Sequence, residues 1–337
     1  MIRYFLCWLV VSLAPDWTVK TSGVESNLRG VSIVVRAGQE KRTVVWASGS
    51  HGTILRSTDS GNNWERLRIL GGDALDFRGV QAFDENVAYV MASGEGEKSG
   101  IYKTVDGGKS WDRQYADARK DFFLDAIACL SPAECFALSD PVEGRFLILY
   151  TADGGHWKEL PGEKMPAALP KEGAFAASNT CLIAFGEHEL YFGTGGPAAR
   201  VFHSADLGKS WTVVVTPILS GKAPEGIFSL ARNGNALVAV GGDYQLPDRA
   251  ERTAAYSLDQ GKSWQLVKNG PKGYRSAVVM TENGFIAAGP SGAEISKDGN
   301  VWTPAGAMNL NAVVFAVGEI WGAGPKGSVA RLAGKLD

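Results

Sequence analysis

The chain has 337 residues, 45% of them hydrophobic and 21% charged, with a formal net charge of −2. That apolar content excludes a disordered chain, and the balance of charge argues against nucleic acid as a partner, since its binders present a basic surface. Forty-two Gly and 14 Pro imply many tight turns and few long helices.

Residues 1–16 read MIRYFLCWLVVSLAPD. Arg3 precedes an uncharged run of ten residues, 4–13, too short to span a bilayer but suited to the core of an export signal. Ser12-Leu13-Ala14 has the small-x-small form of a cleavage site, although Pro15 follows it. Residues 1–14 are therefore read as a signal peptide and the mature protein as exported, periplasmic or secreted, without a membrane span. Cys7 lacks the small residues that precede a lipid-modified cysteine.

Beyond this segment one pattern recurs: Ser/Thr-x-Asp-x-Gly-x-x-Trp. It appears as STDSGNNW (57–64), TVDGGKSW (104–111), SADLGKSW (204–211) and SLDQGKSW (257–264). TADGGHW (151–157) and SKDGNVW (296–302) are one residue shorter. In the latter Gly has moved one place and Asn300 is expected to take its slot. The aspartates are Asp59, Asp106, Asp153, Asp206, Asp259 and Asp298, spaced by 47, 47, 53, 53 and 39 residues. Such periods, with four short strands each, mark propeller blades.

The physics of the pattern is local. An Asp carboxylate accepts backbone N–H groups one or two residues on. The Gly supplies the positive φ of the turn, and the Trp opens the next strand and packs between sheets. This is the Asp box, or BNR repeat, and its aspartates are structural rather than catalytic. One carboxylate per loop is also too few for calcium, and four His without a Cys-x-x-Cys pair give no zinc pattern. No metal and no cofactor is expected.

Cys129 and Cys135 flank a five-residue turn, Leu-Ser-Pro-Ala-Glu, and face each other if it closes a hairpin. An oxidising compartment would permit a bridge; two buried thiols is the other reading. Cys181 has no partner in the sequence. IWGAGPKGSVARL (320–332) is a seventh copy of the strands that precede each box, but no Trp follows it. The missing outer strand stands at the other terminus, where DWTVK (16–20) resembles SWTVV (210–214). The fold class is thus all-β: a single seven-bladed β-propeller over residues 15–337, closed by strands from both ends. Seven of the ten Trp, Trp17 included, then share one equivalent position, and closure removes exposed sheet edges.

Loops between the second and third strands, with the starts of the inner strands, fall on the face opposite the boxes, around the channel. Binding residues concentrate on such loops. LRGV (28–31), FRGV (77–80) and YRSAV (274–278) bring Arg29, Arg78 and Arg275 there, and Arg145 and Arg200 stand at loop ends on the same face. Asp125, Asp140, Glu143, Asp243 and Tyr244 are expected beside them. Five guanidiniums suit a carboxylate-binding mouth, for a protein partner or an anionic small molecule or glycan. The alternative is a set of internal ion pairs, with Asp140 or Asp243 as partners.

LRGV and FRGV, followed by a hydrophobic strand, a Gly-rich loop and a DGGKSW-type box, resemble the photosystem II stability/assembly factor-like family of BNR propellers, over residues 17–337. ALSDPVEGRF, FGTGGPAARVF, VGGDYQLPD and GYRSAV resemble a bacterial, non-photosynthetic branch of it. The resemblance implies a binding or assembly platform, with an Arg-rich partner face matched here by Arg29, Arg78 and Arg275. A monomer is expected. Sialidases share the box but are similar to a six-bladed design with an Arg-Ile-Pro motif, which is missing here. A hydrolase of glycans or esters using Asp140, Glu143, Asp243 or Tyr244 is the alternative function. No Gly-x-Ser-x-Gly elbow and no dinucleotide-binding Gly-x-Gly-x-x-Gly in a strand–turn–helix setting supports another enzyme class.

Overall fold

A computed structural model describes residues 16–36 and 42–333. The run read as a signal peptide, with Cys7, lies outside them. Among the described residues no helix is long and apolar enough to cross a membrane. The strands form seven antiparallel four-stranded sheets, the blades I–VII of a propeller. Their inner strands are Leu28–Arg36, Phe77–Ala82, Leu124–Cys129, Leu182–Phe185, Glu225–Asn233, Ala277–Thr281 and Ala312–Ala316.

Blade VII is built from both termini. Asp16–Thr21 pairs antiparallel with Ser328–Ala333, with Trp17 opposite Leu332. The sequence resemblance between the two outer-strand segments reflects this shared position.

A four-stranded sheet has two faces, and each must be covered. Seven apolar clusters do this, one between each pair of neighbouring blades. Each holds one repeat tryptophan: Trp64 between VII and I, Trp111 between I and II, Trp157 between II and III, Trp211 between III and IV, Trp264 between IV and V, Trp302 between V and VI, and Trp17 between VI and VII. Trp17 Nε1 also donates to the Ala305 carbonyl at 2.9 Å, tying the N-terminal strand to the adjacent blade.

The turns before these tryptophans follow the expected chemistry. Asp59 Oδ1 accepts the backbone N–H of Asn62 at 3.1 Å and of Asn63 at 2.8 Å, while Ser57 Oγ accepts that of Gly61 at 2.9 Å. Hydrogen bonds from Ser110 hold the Asp106 carboxyl down at about 2. Full-length copies place two successive residues at positive φ, as at Ser60 and Gly61. The two shorter copies keep only the Gly, at Gly154 and Gly299. Asn300 therefore does not take over the glycine's role; one left-handed residue has been dropped, and the hydroxyl of Ser296 reaches Gly299 N–H at 2.9 Å.

Around the channel a ring of polar links joins the blades. Ser32 Oγ accepts Ala82 N–H at 3.0 Å, and Ser93 Oγ donates to the Leu124 carbonyl at 2.6 Å. The Asn179 amide exchanges both hydrogen bonds with the Ile127 backbone, at 2.8 and 3.0 Å. Thr180 and Ser229 share one at 2.6 Å, and Ser229 Oγ accepts Val278 N–H at 2.8 Å. Ser276 Oγ donates to Asn311 O at 2.7 Å, and Asn311 Nδ2 donates to Leu28 O at 2.7 Å, completing the circuit.

Removing residues 1–21 takes away the outer strand of blade VII and the Trp17 wedge. Loss of such a buried aromatic costs about 3–5 kcal/mol, and the stripped Ser328–Ala333 edge adds to it. Calorimetry should show a clearly lower melting temperature for the truncated chain; an unchanged one would contradict closure through the N-terminal strand.

Candidate binding site at the channel mouth

Four inner strands carry a register shift at the same place, near their start. It falls between Leu28 and Gly30, Phe77 and Gly79, Leu124 and Ala126, and Ile227 and Ser229. A bulge leaves one residue unpaired and re-aims its side chain. The four residues are Arg29, Arg78, Asp125 and Phe228, and all four line one cavity of about 570 Å³ at the channel mouth. Asn27, Phe123, Asp140, residues 174–177, Tyr244, Tyr274 and Asn311 complete its wall.

The glycine after each bulged arginine has a steric reason. A Cβ on Gly30 would stand 2.5 Å from Ser48 Oγ, and one on Gly79 would stand 2.5 Å from Asn179 Oδ1. A side chain at either glycine would displace the neighbouring Ser48 or Asn179 side chain.

Asp76 lies between the two arginines. Its Oδ2 accepts Arg78 Nε at 2.8 Å and stands 3.8 Å from Arg29 Nε. Arg78 also donates to the Ala176 carbonyl at 3.4 Å and lies over the Phe123 ring at 5.9 Å. Burial and the neighbouring Arg78 charge press the Arg29 guanidinium below its ordinary range. One carboxylate thus serves two cations, both about a quarter exposed.

Across the mouth stands an aromatic wall. Phe175 and Phe228 stack at 3.8 Å between ring centroids, Tyr274 meets Phe228 edge-on at 4.7 Å, and Tyr244 meets both phenylalanines edge-on. Tyr244 and Leu246 remain about half exposed on the loop above.

Asp125 is buried with neither carboxylate oxygen in a hydrogen bond. Burial, then the nearby Asp140, pushes its carboxyl well above the usual range. Burial raises Asp140 to about 6, against an opposing hydrogen bond from Ala174 N–H at 2.8 Å. Asp140 and Phe123 are shared with a second, outer groove of about 580 Å³ that runs past Lys120, Asp121 and Lys171.

The five arginines expected at the mouth therefore divide. Arg29 and Arg78 line it. Arg145 is exposed, outside the cavity, and donates to the Met165 carbonyl at 3.1 Å. Arg200 is buried against Glu172, with Nε on Oε1 at 2.7 Å and Nη2 on Oε2. Arg275 is 1% exposed and grips both Glu294 oxygens at 2.5 Å. These are internal ion pairs, but with Glu172 and Glu294 rather than with Asp140 or Asp243. Asp243 is buried and accepts Gln245 N–H at 2.9 Å, Glu143 is exposed on a turn, and neither lines the cavity. Of the hydrolase candidates the mouth holds Asp140 and Tyr244, and Asp140 is partnered there by Asp125.

The six repeat aspartates are engaged in their own turns. Cys129 and Cys135 form a disulfide, and Cys181 is a buried free thiol. No group of three or more His, Cys, Asp or Glu among the described residues could hold a metal ion. Sequence reasoning missed Asp76, Phe175, Phe228 and Tyr274. Arg29, Arg78 and Asp125 are the second residues of their inner strands but Phe228 is the fourth of its own, so only the bulge, and no sequence position, groups the four.

The two kinds of arginine should separate by stability. Arg275→Ala strands the buried Glu294 carboxylate and should cost about 3–5 kcal/mol. Arg78→Ala removes a partly exposed side chain and should leave the unfolding midpoint in denaturant nearly unchanged. Equal losses in the two variants would contradict the division.

No family profile matches the chain. It is 36% identical over 97 residues to the photosystem II assembly lipoprotein Ycf48 of Synechococcus sp. (strain CC9902), covering 28% of this chain and 26% of that protein. It is 26% identical over 237 residues to the photosystem II assembly protein Ycf48 of Synechococcus sp. (strain JA-2-3B'a(2-13)), covering 68% of this chain and 61% of that one. The chain thus spans less than two thirds of the length of these curated relatives. A solved structure described as YCF48 bound to D1 peptide superposes with a TM-score of 0.66 at 17% identity, covering 95% of this chain and 97% of that one. That likeness is one of fold. Together with the two sequence matches and the seven closed blades, it shows a β-propeller similar to the Ycf48 photosystem II assembly proteins.

Proposed function

We propose that the protein is a binding or assembly platform that docks a segment of a partner protein across the channel mouth, with an acidic group of that segment held by Arg29 and Arg78. The observation that carries this reading is the pair of guanidiniums sharing the single Asp76 carboxylate at an open cavity. Arg forks bind carboxylates through paired, charge-assisted hydrogen bonds, and both arginines line the mouth. The aromatic wall and the exposed Tyr244 and Leu246 supply apolar contact of the kind that anchors protein interfaces. A relative of the same fold is described as bound to a peptide, which supports a protein segment over a glycan.

Export is part of the proposal. The Cys129–Cys135 disulfide supports an oxidising compartment, where such bridges persist. The rigid ring then presents a preformed surface, which limits the ordering cost of binding to the partner segment.

The test is selection of displayed random twelve-residue peptides on the immobilised protein, followed by affinity measurements on the enriched sequences. Binders should contain an acidic residue, weaken as salt is added, and lose about tenfold or more on Arg78→Ala, the scale of one charge-assisted hydrogen bond. Binders indifferent to both Arg29→Ala and Arg78→Ala would contradict the assignment.

A further inference from the structure

We infer that the Asp125–Asp140 pair is the seat for a cationic group of the docked segment, a lysine ammonium or an arginine guanidinium, so that the segment carries a basic side chain close to its acidic one. This rests on the docking reading above and adds the second half of the recognition.

The starting point is Asp125. Buried polar side chains nearly always have a hydrogen-bond partner, and a buried carboxyl without one is costly. Asp125 is 1% exposed, neither of its oxygens has a partner, and its residue lines the mouth cavity. The bulge between Leu124 and Ala126 is what takes it out of the strand ladder. The fold thus spends a local irregularity on placing an unpaired, buried acid in the wall of the cavity.

Among the described residues no cation forms an ion pair with this acid. Arg78 is the cation whose charge reaches it, but Arg78 is bound to Asp76 and to the Ala176 carbonyl. Asp140, on the neighbouring strand, brings a second carboxyl, of which Oδ1 takes Ala174 N–H. Cys181, which precedes the inner strand of blade IV, is fully buried, and that burial, with the charges of Asp125 and Asp140 added, keeps its thiol protonated. A second anion entering here would meet Asp140. A cation would satisfy both acids at once.

The surroundings fit a long basic side chain. The same cavity offers the Phe175 and Phe228 rings, against which methylenes can lie while the head group reaches the acids, and aromatic faces attract cations. Asp140 also opens onto the outer groove, whose charged residues are Glu95, Lys120, Asp121, Lys171 and Glu172. Glu172 is committed to Arg200, so the groove's remaining acids, Glu95 and Asp121, balance its two lysines and leave the Asp125–Asp140 pair as the acidic centre of the site.

Titration gives a direction. The Asp140 carboxyl is raised to about 6, so it gains its charge as pH rises through that value. A docked cation should therefore bind more tightly at pH 7.5 than at pH 5.

The experiment extends the peptide selection. Peptides enriched on the wild-type protein are synthesised with their basic residue intact or replaced by norleucine, and binding is measured to wild type, to Asp140→Asn and to Asp125→Asn/Asp140→Asn. Asp140→Asn keeps the oxygen that accepts Ala174 N–H, so it serves if the double variant does not fold. The expected result is a loss of about tenfold for norleucine on wild type, most of it gone on the Asn variants, and weaker binding at pH 5 for the intact peptide alone. Enriched peptides without a basic residue, or an equal norleucine loss on wild type and variants, would overturn the inference. If such peptides still depend on Arg78, the docking reading stands without it. If no peptide is enriched, both fail.

Discussion

A four-stranded sheet of five or six residues per strand has two apolar faces and can cover neither alone. Everything else in this protein follows from that constraint. Each blade must be flanked by another, and a linear stack would leave two faces open, so the stack closes. Seven interfaces result, each with its own apolar cluster and tryptophan. The last is completed by pairing across the two ends of the described chain, Asp16–Thr21 against Ser328–Ala333. The repeat turns set the hairpins that deliver those tryptophans, which is why their carboxylates are occupied with backbone N–H groups.

Closure also decides where function can sit. The inner strands converge on the channel, where side chains compete for space, and glycine stands where neighbouring side chains press in, as at Gly30 and Gly79. Bulges near the starts of four of the seven inner strands then turn one residue each into the mouth. In blades I, II, III and V those residues are Arg, Arg, Asp and Phe. One geometric device, repeated around the ring, thus presents cationic, acidic and aromatic groups in a single cavity. Change of residue type at that position alters the chemistry of the mouth without disturbing the blades, which rest on the clusters further out.

The fold was legible in the sequence because its determinants are local or repeated. Asp, Gly and Trp at fixed spacing describe a turn whose hydrogen bonds lie within five residues, and DWTVK marked the closing strand by resemblance to a known outer one. The site was legible only in part. LRGV and FRGV drew attention to Arg29 and Arg78 because the two segments look alike. Asp125 and Phe228 occupy the same geometric position with other side chains, so no motif joined them. Arg200 and Arg275 were misplaced because their partners, Glu172 and Glu294, stand 28 and 19 residues away, and burial that depends on such pairing leaves no spacing to read. Cys129 and Cys135 could be placed opposite each other, but a hairpin alone does not distinguish a bridge from two thiols; the structure has the bridge.

The central claim is that binding belongs to the bulged strand starts on one face of the ring. Hydrogen exchange of the protein with and without a saturating selected peptide tests it most directly. The account predicts slowed exchange in the segments around residues 27–31, 76–80, 122–126 and 174–177, with the repeat turns at 57–64, 104–111, 204–211 and 257–264 unchanged. Protection centred on those turns, with the channel mouth unaffected, would contradict it.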